Sequence, residues 1–155
     1  MKKILTMIFS ILLITGAIHA TSNYALTFAS DGGAGIGIVN KKYTASFLYS
    51  TIDNLKGFDE DQTNFEFNTK YRHALDEKSN ATIGLRYLLI SHKPVNDDDP
   101  DENTKLAITL GVDHLLSQRL LMFAETDVYS VQDNDDGKQE DSVFNFARVG
   151  LSILF

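Results

Sequence analysis

The sequence predicts an all-β chain: an eight-stranded antiparallel up-and-down transmembrane β-barrel behind a cleaved signal peptide. Three observations predict it. Eight segments alternate apolar and mixed-polar residues with a period of two, the period of a strand. Their connections alternate between short turns and longer charged loops, which puts the long loops at one rim of an up-and-down sheet. The chain opens on a positive start and an apolar run, the pattern of an export signal.

Met1-Lys2-Lys3 is followed by the apolar run Ile4 to Ile14 and by small residues up to Ala20. The signal peptide is therefore placed at residues 1–20, with a cut after Ala17 as the alternative, and the barrel domain at residues 21–155. The apolar run falls short of the roughly 20 residues a spanning helix needs. With no cysteine in the chain there is neither a lipid-anchoring thiol nor a disulfide, so stability must come from packing or from a closed hydrogen-bonded sheet. If the mature chain crosses a membrane, it crosses as a barrel, because only helices and closed barrels satisfy the backbone in lipid.

The strands follow in order. Asn23 to Ser30 and Ala34 to Asn40 make a first hairpin around Asp31-Gly32-Gly33, with Ile36 and Ile38 on one face and Gly35 and Gly37 on the other. Glycine inside a strand marks close backbone approach or a weak strand. This hairpin is shorter than the usual spanning length of about 9–11 residues. Tyr43 to Ile52 carries Tyr43, Ala45, Phe47 and Tyr49 on one face. Thr63 to Leu75 sets Phe65, Phe67 and Tyr71 against Glu66, Lys70 and Arg72; a helix would spread those charges around its circumference. Asn80 to His92, Thr104 to Leu116 and Leu120 to Val131 repeat the pattern, the last with Tyr129 on the face of Phe123, Glu125 and Asp127. Ser142 to Phe155 ends the chain. The turns 40–42, 76–79 and 117–119 are short, and the loops 53–62, 93–103 and 132–141 are long and charged.

In lipid the apolar faces point outward. The inner face then holds Glu66, Lys70, Arg72, Arg86, Lys105, Asp113, Glu125, Asp127 and Arg148, five basic and four acidic residues. Eight strands enclose a lumen that side chains can fill, and ions buried there must pair. Counted from the inner rim, Glu125 and Arg148 fall at similar heights on neighbouring strands and are expected to pair, with Arg86 and Asp127 close by. A salt-bridged plug is the structural reading of the set, and a thin ion path is the functional alternative. Tyr24, Tyr43 and Phe155 at the inner rim, with Tyr49, Phe65 and Tyr87 toward the outer one, suit interfacial girdles.

Composition narrows the chemistry. Removal of Lys2 and Lys3 takes the formal charge from −7 to −9, which argues against nucleic acid as a partner. The acidic loops supply Asp97, Asp98, Asp99, Asp133 and Asp135 as weak calcium candidates, so divalent cations are possible partners there. Their spacing does not match an EF-hand loop, and a solvated charge run is the alternative. No cofactor is expected.

The last strand carries a further signal. Val149, Leu151, Ile153 and the terminal Phe155 are apolar at every second position. This resembles the carboxyl-terminal assembly signal of bacterial outer-membrane barrels. With the strand count and the loop asymmetry, the chain resembles the small eight-stranded outer-membrane barrels of the OmpA-transmembrane-domain and OmpX type, within the porin superfamily. The resemblance implies location in the outer membrane, contact with its lipid and lipopolysaccharide, and the barrel-assembly machinery as partner during biogenesis. It implies an envelope scaffold that displays acidic surface loops, rather than an enzyme. A narrow pore and a lipid A-modifying enzyme are the alternatives. Lipid A deacylases of this shape use a His-x-Ser pair, and none of His73, His92 or His114 is followed by Ser at that spacing.

Overall fold

The computed structural model describes residues 23–52, 60–94, 101–133, 139–144 and 146–155. The expected signal peptide at 1–20 and the loop carboxylates Asp97, Asp98, Asp99 and Asp135 lie outside these residues. The strands are β1 (Asn23–Ala29), β2 (Ala34–Val39), β3 (Tyr43–Ile52), β4 (Glu60–Ala74), β5 (Ser79–Pro94), β6 (Asp101–Ser117), β7 (Leu120–Asp133), β8 (Gln139–Ser142) and β9 (Phe146–Leu154). From β1 to β8 chain neighbours pair antiparallel, and β1 pairs with β9, so the sheet closes on itself. β8 and β9 both pair with β7 and are two halves of one stave, which leaves eight staves.

The alternation in the sequence becomes an inside and an outside. Leu106, Ile108, Leu110 and Val112 of β6 are exposed on the outer wall, while Lys105, Ala107, Thr109 and Asp113 are buried within it. On β4, Phe65 and Tyr71 face out, and Glu66 and Asn68 face in. Exposed Leu, Ile and Phe around buried Glu, Asp and Arg invert the partition of a water-soluble protein. A wall of this kind suits a hydrocarbon solvent, in which closure leaves no sheet edge to satisfy.

Two of the short turns are built from carboxamide and carboxylate oxygens. Asn40 Oδ1 accepts the backbone N–H groups of Lys42 at 2.8 Å and Tyr43 at 2.7 Å. Asp76 Oδ1 accepts those of Lys78 and Ser79, each at 2.7 Å. Such side chains mimic a backbone turn and fix the register that follows. Close approach is the role of the inward Gly150: a Cβ there would run into the Phe123 ring, its cross-strand partner on β7. Gly35 and Gly37 are pressed against the backbone of β3 at Phe47 and Ala45.

The structure corrects the sequence reading in three places. First, β4, β5 and β6 run on into segments read as loop, pairing as far as Glu60–Pro94 and His92–Asp101. Cross-strand hydrogen bonding continues as long as two polar chains lie side by side, and apolar alternation, the sequence signal, stops earlier. Second, the stave expected from Ser142 to Phe155 is broken: Ser142 pairs with Ser130 and Phe146 with Asp127, so three residues face two. Phe144 takes a positive φ of 52° at this break, a conformation bulky residues rarely adopt. Third, Tyr129 turns outward. β6 pairs Ile108 with Tyr129 but Thr109 with Asp127, which leaves Val128 as the extra residue of a β-bulge. One added residue inverts the alternation beyond it, so Ser130 rather than Tyr129 is buried.

Candidate functional site

The lumen is the one place where the described residues gather buried charge. It is filled in tiers. At the inner rim Ala25, Val39, Leu121 and Leu154 form a small apolar floor, with Leu115 packed against it. Beside it Arg72 grips Asp113 with two bonds, Nε to Oδ2 at 2.7 Å and Nη2 to Oδ1 at 2.8 Å. Asn80 Nδ2 adds a third donor to Asp113 Oδ1 at 2.7 Å. A bidentate guanidinium–carboxylate pair fixes orientation as well as charge.

Arg148 is the hub of the middle tier. Its Nε donates to Glu125 Oε1 at 2.5 Å, its Nη1 to Glu66 Oε2 at 2.7 Å, and its Nη2 to Glu66 Oε1. Glu125 also takes Lys70 and, at 3.2 Å, the amide of Asn68. Higher up, Arg86 pairs with Asp127, which Lys105 Nζ reaches at 3.1 Å. Arg86 lies over the Phe146 ring, its Cζ 4.1 Å from the centroid. A desolvated cation on an aromatic face is stabilised by the ring quadrupole.

All nine charged residues assigned to the inner face therefore sit in one connected interior, on staves β4, β5, β6, β7 and β9. The Glu125–Arg148 contact joins directly paired residues. A tenth charge is not visible in the strand pattern. Asp31, in the crest of the first hairpin, turns inward and accepts from Arg148 Nη1 at 3.1 Å. With it the network among the described residues is balanced, acid for base. A carboxylate in a tight turn has a direction that period-two alternation cannot give.

Other expected site residues lie elsewhere. Val149, Leu151, Ile153 and Phe155 are all on the outer wall. Asp133 ends β7 opposite Gln139, and among the described residues no cluster of three or more His, Asp or Glu side chains is placed to hold a metal ion. At the inner rim, Ser79 Oγ and His114 Nδ1 lie 2.9 Å apart across directly paired positions. Asp76, the nearby carboxylate, is occupied by the turn N–H groups.

The architecture is that of a known class. In fold, the chain is similar to Neisserial surface protein A, NspA, with a TM-score of 0.54 and 18% identity over 86% of this chain and 94% of that one. It has the fold of a small outer-membrane β-barrel. Looser likenesses are to a major outer membrane protein from Thermus thermophilus (TM-score 0.44, 17% identity, 88% of this chain and 100% of that one) and to Ail, the attachment invasion locus protein of Yersinia pestis (0.37, 13%, 86% and 91%). No family model and no curated protein matches the sequence.

Proposed function

We propose that this chain is an integral outer-membrane protein, exported by residues 1–20, whose lumen is closed by an ion-pair plug and whose outer rim displays acidic loops as an envelope scaffold. The observation that carries the reading is the inverted partition: an apolar outer wall around a polar, ion-paired interior. Such a wall has no favourable place in water, because an exposed apolar patch on a soluble monomer seldom exceeds a few hundred Å². The interior supports a scaffold over a pore, because Arg148 spans the lumen from β9 to Glu66 on β4. The short hydrophobic floor lies beneath it. Lipid and lipopolysaccharide are then the surrounding partners, and the Val149 to Phe155 alternation is the mark read by the assembly machinery.

Two measurements test this. Folded in detergent, the unboiled protein is expected to migrate differently from the boiled protein on a denaturing gel, and to give no discrete conductance in planar bilayers. Identical migration before and after boiling rules out the barrel in membranes. Stable single-channel steps that change with Glu125→Ala rule out the closed lumen and favour the pore.

A further inference from the structure

The ion pairs of the lumen do not all touch. The bonds of Arg72 go to Asp113 and to the Asn40 carbonyl, and Asp113 takes Asn80 as well. Among the described residues none of these bonds reaches the Arg148 hub. A cavity of about 30 Å³ is bordered by members of both sets, Asp113 from the first and Asn68, Lys70 and Arg148 from the second. Every stave contributes to its lining, so the cavity lies in the lumen and not in the wall. Val39 and Leu121 of the apolar floor also border it.

The polar groups around this cavity keep hydrogen-bonding capacity in reserve. Asn68 is 1% exposed, and its Nδ2 donates to Glu125. Its Oδ1, an acceptor with two lone pairs, has no partner among the described residues. A buried carbonyl oxygen without a donor is costly. Lys70 is an ammonium with three N–H donors; one goes to Glu125, and the Phe123 ring centroid lies 4.6 Å from Nζ. Asp113 accepts three N–H bonds, of the roughly four a carboxylate can take. Thr82, buried in the same lining, adds a hydroxyl. Spare donors and spare acceptors around one space suit a molecule that both gives and takes hydrogen bonds.

Size and charge select that molecule. A water needs about 10–15 Å³ and two to four polar partners, so the cavity has room for about two. A sugar or a lipid headgroup is too large. An ion does not fit the charge balance. The network among the described residues is already acid for base, with Lys70 held by Glu125 and Arg148 by Glu66 and Glu125. An added ion would stand as an uncompensated buried charge.

We propose that this cavity is a binding site for about two ordered waters, one of them donating to Asn68 Oδ1, and that these waters join the Arg72–Asp113 pair to the Arg148 hub. The inference deepens the closed-lumen reading and rests on it: the interior is shut to ions and hydrated within. Val39 and Leu121 offer the waters no hydrogen bond, so the floor does not draw them toward the inner rim. Buried water held by otherwise unsatisfied groups is part of the structure.

The full mature protein, folded in detergent and checked by heat-modifiable migration, is crystallised with sodium bromide present, to a resolution that shows waters. The expected result is density for about two waters in the cavity, one within about 3.2 Å of Asn68 Oδ1, with no anomalous bromide signal there. In solution NMR in the same detergent, the Asn68 carboxamide protons are expected to give a cross-peak to water. Asn68→Leu, which has the same branching and no acceptor, is expected to lower the occupancy of that water at least twofold. Three results overturn the proposal: a dry cavity with no cross-peak, bromide in the cavity, or the water kept at full occupancy in Asn68→Leu. If that variant does not fold, the wild-type crystal and spectrum still decide. Discrete conductance in planar bilayers would sink the closed lumen itself, whereas a silent bilayer with a dry cavity sinks this proposal alone.

Discussion

Arg148→Met removes the cation that joins the largest number of interior carboxylates. Met keeps the unbranched stem as far as the position of Nε and drops the guanidinium, so the change removes the charge together with the volume of the head group. In the wild-type chain Arg148 makes two bonds to Glu66, one to Glu125 and one to Asp31. Glu66 and Glu125 are each 5% exposed, so neither carboxylate can turn to water when the cation is lost. Breaking a buried pair by removing one partner costs about 3–5 kcal/mol, because the other ion is left uncompensated. Lys70 still holds Glu125, whereas Glu66 keeps only the 4.0 Å approach of Arg86. The penalty therefore falls mainly on Glu66, and we expect a loss of about 3 kcal/mol. Adding Glu66→Gln should return part of it, giving a coupling energy of at least about 1.5 kcal/mol in a double-mutant cycle. Urea unfolding in detergent or lipid, followed by the heat-modifiable band, measures both. A single-variant loss below about 1 kcal/mol, the range of an exposed pair, would refute the buried hub.

Two further outcomes follow from the wall and the turns. Gly150→Val is expected to lower stability by more than about 2 kcal/mol, since overpacking a filled interior costs about 1–3 kcal/mol and here the Phe28 carbonyl as well as the Phe123 ring blocks the new side chain; Phe123→Leu should relieve only the part due to the ring, as read by the same unfolding curves. Asp76 is held below the usual carboxylate range by the N–H groups of Lys78 and Ser79 and the Ser79 hydroxyl. Its contribution is thus present above the ordinary carboxylate pKa of about 4 and lost as pH falls through the lower folded value. The acid side of the stability curve should be flatter for Asp76→Ala, and Asp76 should titrate below exposed carboxylates in a carbon-detected NMR titration; an ordinary titration point would contradict the turn geometry.

Much of this barrel is legible in the sequence because a lipid-facing strand has only two faces to choose between. Phe65, Phe67 and Tyr71 against Glu66, Lys70 and Arg72 admit a single arrangement, and the same alternation gathers the nine lumen charges on one side. Alternation fails where a strand carries one residue too many. Val128 is such a residue, and nothing in its type announces it, so alternation alone puts Tyr129 on the wrong face. Asp31 escapes the pattern for a related reason: turn geometry, rather than strand period, directs its carboxylate to Arg148. The outer ends of β4 to β6 escape it because polar residues such as Glu60 and Asp101 can still pair through their backbones. The low outer end of the β1–β2 hairpin beside the longer staves is a property of register, and no single segment carries it.

The central claim is that the apolar face of each stave meets hydrocarbon and the charged face does not. The absence of native cysteine makes single-cysteine spin labelling direct. Labels are placed singly from Lys105 to Asp113 in lipid vesicles, and their collision rates with oxygen and with a water-soluble nickel chelate are compared. The account predicts high oxygen accessibility at Leu106, Ile108, Leu110 and Val112, and low accessibility to both reagents at Ala107, Thr109 and Gly111. Equal chelate accessibility along the whole stretch, or an alternation of the opposite phase, would contradict it.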